Sequence, residues 1–128
     1  MRLLIDTHAF LWFVLNDPQL SSNARVLMTD PSNELLLSPA TYWEIAIKIS
    51  LGKYALPGDF ADFMERQVAD NNLTVLPITI RHAAVVATLP FHHRDPFDRL
   101  LIAQAMTEAV PVLSGDAVFD AYPVTRMW

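Results

Sequence analysis

An α/β fold, in which a parallel sheet is covered by helices on both faces, is predicted by three features of the sequence. Short apolar runs (Leu3-Leu4-Ile5, Leu35-Leu36-Leu37 and Val110-Pro111-Val112-Leu113) carry the pattern of strands buried on both sides. Segments with helical caps and stops alternate with them, the order that yields strand, crossover helix and parallel strand. The composition, 52% hydrophobic and 18% charged over 128 residues, is that of a globular chain with enough apolar surface for one core. Residues 1–128 therefore read as a single three-layer domain, with no repeat, linker or low-complexity tract.

Leu3 to Asp6 opens the chain as a strand. Thr7 to Asn16 follows as a helix, with Pro18 beyond its end. Ser21 caps a second helix that runs to Asp30, before Pro31. Leu35–Leu37 is the second strand. Ser38-Pro39 supplies an N-cap followed by proline at the first helical position, and that helix runs to Leu51 before Gly52. Asp59 opens a helix to about Asn71. Leu73 to Ile78 is the third strand, although Pro77 lacks the N–H to continue pairing. Thr79 to Leu89 is helical and stops at Pro90. Asp95-Pro96 starts a helix to Glu108, Val110 to Leu113 is the fourth strand, and Val124 to Met127 is a fifth at the edge.

Composition excludes several classes. Without cysteine there is no disulfide framework, thiolate zinc site or thiol nucleophile, which fits a reducing cytosol. The N-terminus meets a charge at Asp6, too early for a signal-peptide apolar region, so a cytoplasmic location is expected. No uncharged apolar stretch approaches the roughly 18 residues of a membrane span. The net charge of −5 disfavours a nucleic-acid partner at first sight. Four of the acids form one group, however, and removing them from the balance leaves the rest of the chain nearly neutral.

Those four are Asp6, Glu44, Asp98 and Asp116. In parallel sheets ligands bind beyond the carboxyl ends of the strands, at a topological switch point. Asp6 and Asp116 directly follow strands, and both fall on that edge. Glu44 comes shortly after the second strand. Asp98 lies in the first turn of a helix that leads back from the same edge. Each has an ordinary explanation taken singly. Asp98 suits the positive end of a helix three residues after the Asp95 cap, Glu44 and Lys48 make an i, i+4 pair, and Asp116 follows Ser114-Gly115 as turn chemistry. Asp6 is hardest to dismiss, because an acid against a buried strand is costly without a partner. Four acids at one edge repel unless a cation lies between them. All-oxygen ligation points to Mg²⁺ or Mn²⁺, and four carboxylates suffice for one or two ions and for phosphoryl displacement.

Other constellations are weaker. His8, His82, His92 and His93 show no metal-ligand spacing, and packing or surface hydrogen bonds are the expected roles. His8, two residues from Asp6, is the one with substrate contact as its alternative. Ser38 and Ser114 have no base and orienting acid at a recognisable spacing. Three glycines form no phosphate-binding loop.

The segments Leu3-Leu-Ile-Asp-Thr-His8, Ser38-Pro-Ala-Thr-Tyr-Trp-Glu-Ile-Ala-Ile-Lys48, Gly52-Lys53, His93-Arg-Asp-Pro-Phe-Asp-Arg-Leu-Leu-Ile-Ala-Gln-Ala105 and Leu113-Ser-Gly-Asp116 resemble the PIN-domain family. More narrowly they resemble the VapC-type toxins of toxin–antitoxin pairs. The resemblance spans nearly the whole chain in the family's order, and its most specific part runs from His93 to Ala105. It implies a five-stranded parallel sheet of order 3-2-1-4-5 and a Mg²⁺- or Mn²⁺-dependent endoribonuclease that cleaves RNA with a metal-activated water. The metal-binding and catalytic positions carry over as Asp6, Glu44, Asp98 and Asp116, with Asp95 a cap or a group behind them. A homodimer and a small antitoxin partner are also implied. The nearly all-apolar Ala9–Leu15 offers surface for such contacts, although core packing accounts for most of it.

Lys48, one turn beyond Glu44, and Arg99, beside Asp98, are candidates for holding substrate phosphates, together with His8. Two other functions compete. A Mg²⁺-dependent phosphatase or phosphoacceptor would use Asp6 as nucleophile, but the partner acids or lysine of such sites are not evident. A non-catalytic binding module would keep the fold without needing the acid quartet.

Overall fold

The computed structural model describes residues 1–128. It contains five strands and six helices, in the kinds and order expected. β1 (Arg2–Ile5) leads into α1 (Thr7–Val14) and α2 (Ser22–Thr29), and β2 (Glu34–Leu37) into α3 (Pro39–Ser50) and α4 (Phe60–Asp70). After β3 (Thr74–Val75) come α5 (Ile80–Thr88), α6 (Pro96–Glu108), β4 (Val112–Leu113), a 3₁₀ helix (Ala117–Ala121) and β5 (Arg126–Met127). All pairings are parallel and the order is β3-β2-β1-β4-β5, in agreement with the order implied by the family resemblance.

Local chemistry explains the boundaries. Six helices begin behind a side-chain cap: Asp6, Ser21, Ser38, Asp59, Thr79 and Asp95 each accept a main-chain N–H of the first turn. Such a cap is worth about 1 kcal/mol. Pro39 and Pro96 stand at first helical positions, where the missing N–H costs nothing. β3 is shorter than Leu73–Ile78: Leu76 N–H still donates to the Leu37 carbonyl, but Pro77 has no N–H to offer the next rung. The fourth and fifth strands are likewise trimmed to two residues. The 3₁₀ helix was not anticipated.

Alternation along the central strands divides the core into two. Leu3, Ile5, Leu35 and Leu37 point into a cluster with Phe10, Ala24, Met28, Ile45 and Met64, from α1 to α4. Leu4, Leu36 and Val112 point the opposite way, toward Leu101, Ile102, Ala105 and Phe119. Each fully buried leucine contributes roughly 1.5–3 kcal/mol of transfer free energy, so both helical layers are tied to the same short strands. The apolar α1 is largely consumed here: Ala9, Phe10 and Leu11 are buried, Trp12, Phe13 and Val14 pack on the core, and Leu15 alone of Ala9–Leu15 stays exposed. That segment is thus mainly core and offers little free surface. No helix is long and apolar enough to cross a membrane.

Candidate metal centre

The topology brings the four acids to the carboxyl edge of the sheet. β1 and β4 are adjacent, so Asp6 at the end of one and Ser114-Gly115-Asp116 at the end of the other are neighbours. Glu44 lies on the second turn of α3, the helix that leaves β2, and Asp98 on the first turn of α6, which returns toward β4.

Each acid is held by short-range chemistry. Asp6 is 3% exposed, and its Oδ1 accepts the Ala9 N–H at 2.7 Å. Its Oδ2 accepts the Ser114 hydroxyl, whose oxygen accepts the Asp116 N–H at 3.0 Å. One serine therefore ties the ends of β1 and β4 together. Asp116 caps the 3₁₀ helix by accepting the Val118 N–H at 2.9 Å. Glu44, also 3% exposed, accepts Thr7 Oγ1–H at 2.8 Å on Oε1 and the Lys48 ammonium at 2.6 Å on Oε2. Thr7 contacts the Thr41 hydroxyl at 3.2 Å. Asp98 donates its main-chain N–H to the Asp95 carboxylate at 3.0 Å, and its own Oδ2 lies 3.6 Å from His93 Nε2.

The electrostatics report crowding. Burial pushes the Asp6 carboxyl above its usual range, against the opposing effects of Ser114, Ala9 N–H and His8, and Asp116 adds to the rise. Asp98 is pushed up to about 7, first by burial and then by the charges of Asp95, Glu44, Asp6 and Asp116. That all three other acids act on Asp98 means the four share one electrostatic neighbourhood. Lys48 is partly desolvated, which lowers its pKa, but the hydrogen bond and charge of Glu44 outweigh this and raise it. The pair is not the solvated surface contact of the ordinary reading, because Glu44 is buried.

No three Asp, Glu and His groups stand close enough together to form a ready cage for an ion. A cavity of about 320 Å³ is lined by Asp6, His8, Trp12, Gly115, Asp116 and Ala117, and Glu44 and Asp98 do not line it. The donor set nevertheless fits a hard divalent cation. It is all oxygen, and only Glu44 carries a close Lys or Arg partner, at 2.6 Å. The ammonium of Lys48 stands on Glu44 as an internal counter-ion. Burial does most to raise the Asp98 carboxyl, and the like-charge part of the rise is what a cation would relieve.

Two substrate candidates keep a plausible place. His8 is exposed, lines the cavity and stacks obliquely on Trp12, with ring centroids 5.6 Å apart. Lys48 is partly exposed beside Glu44. Arg99 is a correction. It is 4% exposed, and its guanidinium donates to the carbonyls of Leu89 at 2.9 Å and Pro90 at 2.8 Å, with the Phe91 ring 4.0 Å away. It fastens the α5–α6 loop, and its burial argues against a role in holding substrate phosphate. His82 is a buried capping group that accepts the Thr79 N–H at 3.0 Å. The hydroxyls of Thr7, Thr41 and Ser114, all buried, were not anticipated as supports of the acids. Their signal was available for Thr7 and Ser114, small polar residues at the mouths of buried strands with no helix to cap.

The sequence profile of the PIN domain matches residues 3–124. Among solved structures, the chain is similar to a member of the VapBC2 complex of Rickettsia felis, which is bound to a DNA fragment from its promoter. The TM-score is 0.74 at 12% identity, over 99% of this chain and 98% of that one. VapBC-1 of nontypeable Haemophilus influenzae gives a TM-score of 0.69 at 15% identity, covering 99% and 97%. VapBC-5 of Mycobacterium tuberculosis, a member of the VapBC family of toxin–antitoxin systems, gives 0.61 at 19%, covering 98% of each chain. No curated relative matches the sequence.

Proposed function

Because the chain belongs to the PIN-domain family, we propose that it is a metal-dependent endoribonuclease and the toxin of a toxin–antitoxin pair. The observation that carries this reading is the crowding around Asp98, whose carboxyl is pushed up to about 7 first by burial and then by the charges of Asp95, Glu44, Asp6 and Asp116. These four residues would hold one or two Mg²⁺ or Mn²⁺ ions. A bound divalent ion supplies a charge that neutralises phosphate oxygens and activates water at neutral pH.

The chain's own residues do the rest. Ser114 and Ala9 N–H fix the Asp6 carboxylate against rotation. Thr7 fixes one oxygen of Glu44 and leaves the other to Lys48. Lys48, partly exposed beside Glu44, would be the residue to hold a substrate phosphate. His8 and Trp12 offer ring faces beside Asp6 for an unpaired base.

A similar solved structure belongs to the VapBC family of toxin–antitoxin systems, which supports a small antitoxin as partner here. A homodimer, implied by the family resemblance alone, and a cytoplasmic location are further parts of the proposal. The decisive experiment incubates the purified chain with total cellular RNA in Mn²⁺ or chelator. Fragments with 5′-phosphate ends should form only with the ion, and Asp6→Asn or Asp98→Ala should lower the rate at least about a hundredfold with far-UV circular dichroism unchanged. Full activity in Asp6→Asn, or cleavage in chelator, would overturn the proposal.

A further inference from the structure

His93 lies outside the acid quartet, yet it stands beside Asp98 with one ring nitrogen unpartnered. The ring is 15% exposed, its Nε2 has no hydrogen-bond partner, and that atom lies 3.6 Å from Asp98 Oδ2. This is close enough for an ion pair but too long for a hydrogen bond. A buried imidazole nitrogen left without a partner is uncommon and asks for an occupant.

Tyr122 decides which nitrogen carries the proton. Its phenolic oxygen lies 2.8 Å from His93 Nδ1. The same oxygen accepts the main-chain N–H groups of His92 at 3.2 Å and His93 at 3.3 Å, and Arg99 Nη1 approaches it at 3.4 Å. With its lone pairs engaged by these donors, the hydroxyl has only its own proton left to offer the ring. Nδ1 is therefore an acceptor, and the neutral ring carries its proton on Nε2, facing Asp98. Arg99, locked onto the Leu89 and Pro90 carbonyls, steadies the assembly from behind.

We propose that His93 is a positioning residue of the acid site: Tyr122 fixes its Nε2–H, which holds Asp98 Oδ2 and turns the other carboxylate oxygen toward the cation position. Closing the remaining gap needs only a small turn of the carboxylate, whose terminal torsion is soft. The same device, a hydrogen bond behind a metal ligand, commonly changes metal affinity by 10–100-fold. The role toward the cation rests on the metal-site reading above. The grip of His93 on Asp98 does not, and the test separates them.

Long-range proton–nitrogen spectra of the full, metal-free chain read the tautomer. His93 is expected to be protonated on Nε2, with that signal displaced by Asp98→Ala and left in place by Asp116→Asn. A proton on Nδ1, or a signal indifferent to Asp98→Ala, overturns the inference. Mn²⁺ is then titrated into the same chain without RNA. His93→Leu should weaken binding about tenfold. His93→Gln, which keeps an N–H near the Nε2 position, should restore most of the loss, and Tyr122→Phe should add nothing to His93→Leu. Wild-type Mn²⁺ affinity in a folded His93→Leu chain, or glutamine no better than leucine, also overturns it. If the wild type itself takes up no Mn²⁺, the metal reading falls, while the spectra still decide whether His93 grips Asp98.

Discussion

Asp98 keeps a proton that an ordinary aspartate has lost by pH 5, and this links the site to stability. Its carboxyl stands at about 7 in the folded chain against 3.8 for the free side chain. Between those values the folded state binds a proton that the unfolded state has released, so unfolding free energy falls as pH rises through the window. Asp6 is raised in the same direction. In chelator, urea unfolding should therefore show the wild type losing stability between about pH 5 and pH 8. Asp98→Asn, which has no charge to bury, should show a shallower slope and exceed the wild type at the upper end. An unchanged slope in the variant would mean that the acids do not share a field. At this scale the sequence identified the acids through their places beside strand ends and helix starts. It did not reveal what holds them. Ser114 and Thr7 act across the fold, and Arg99 was misjudged because adjacency to Asp98 in sequence says nothing of which side of α6 its guanidinium enters.

The elements that carry the acids are fixed by contacts of low tolerance, and the loop after β4 is the tightest. A methyl group on Gly115 would stand 2.9 Å from Trp128 Cε2 and 3.0 Å from its Cζ2. That indole is itself confined by Trp12, with centroids 5.9 Å apart, and the Trp128 carbonyl accepts from Asn23 Nδ2 at 3.1 Å. Gly115→Ala must displace the ring or bend the Ser114–Asp116 segment, and is expected to cost about 1–3 kcal/mol. Denaturant unfolding measures the loss, and Trp128→Leu in the same chain should return part of it. A neutral Gly115→Ala would mean that the ring moves freely. Element kinds and order were legible because caps and prolines act locally: Ser38-Pro39 and Asp95-Pro96 mark helix starts whatever surrounds them. Strand lengths were less so: Pro77 marks the end of β3 in the sequence, but nothing in Val110–Leu113 or Val124–Met127 shows that β4 and β5 pair over only two residues each. The 3₁₀ helix rests on the Asp116 cap and the burial of Phe119, and burial of that kind is a tertiary fact.

For the molecule as a whole, a cation that binds only the folded chain stabilises it by mass action. At a hundred times its dissociation constant the gain is about 2.7 kcal/mol, a rise in Tm on the order of 10 °C for a chain of this size. Millimolar Mn²⁺ should produce such a shift in the wild type and a much smaller one in Asp6→Asn, read by differential scanning calorimetry. Equal shifts in both would place the ion elsewhere. The parallel, two-sided sheet was legible from runs such as Leu35-Leu36-Leu37, whose neighbours point to opposite cores. The strand order was not contained in those runs and came with the family resemblance. The apolar excess of α1 goes mostly to closing the first core, as core packing was expected to account for most of it, and little is left as surface on offer. The large apolar groups left in solvent sit elsewhere: Ile80 is 89% exposed, Phe91 80% and Trp43 59%.

The two outermost strands, Thr74–Val75 and Arg126–Met127, are each only two residues long, and Pro77 interrupts the first just beyond its end. A passing extended peptide finds almost no ladder of free amides and carbonyls to zip onto at either rim. Association by adding strand to strand is therefore disfavoured, and open-ended stacking into fibres lacks a starting template.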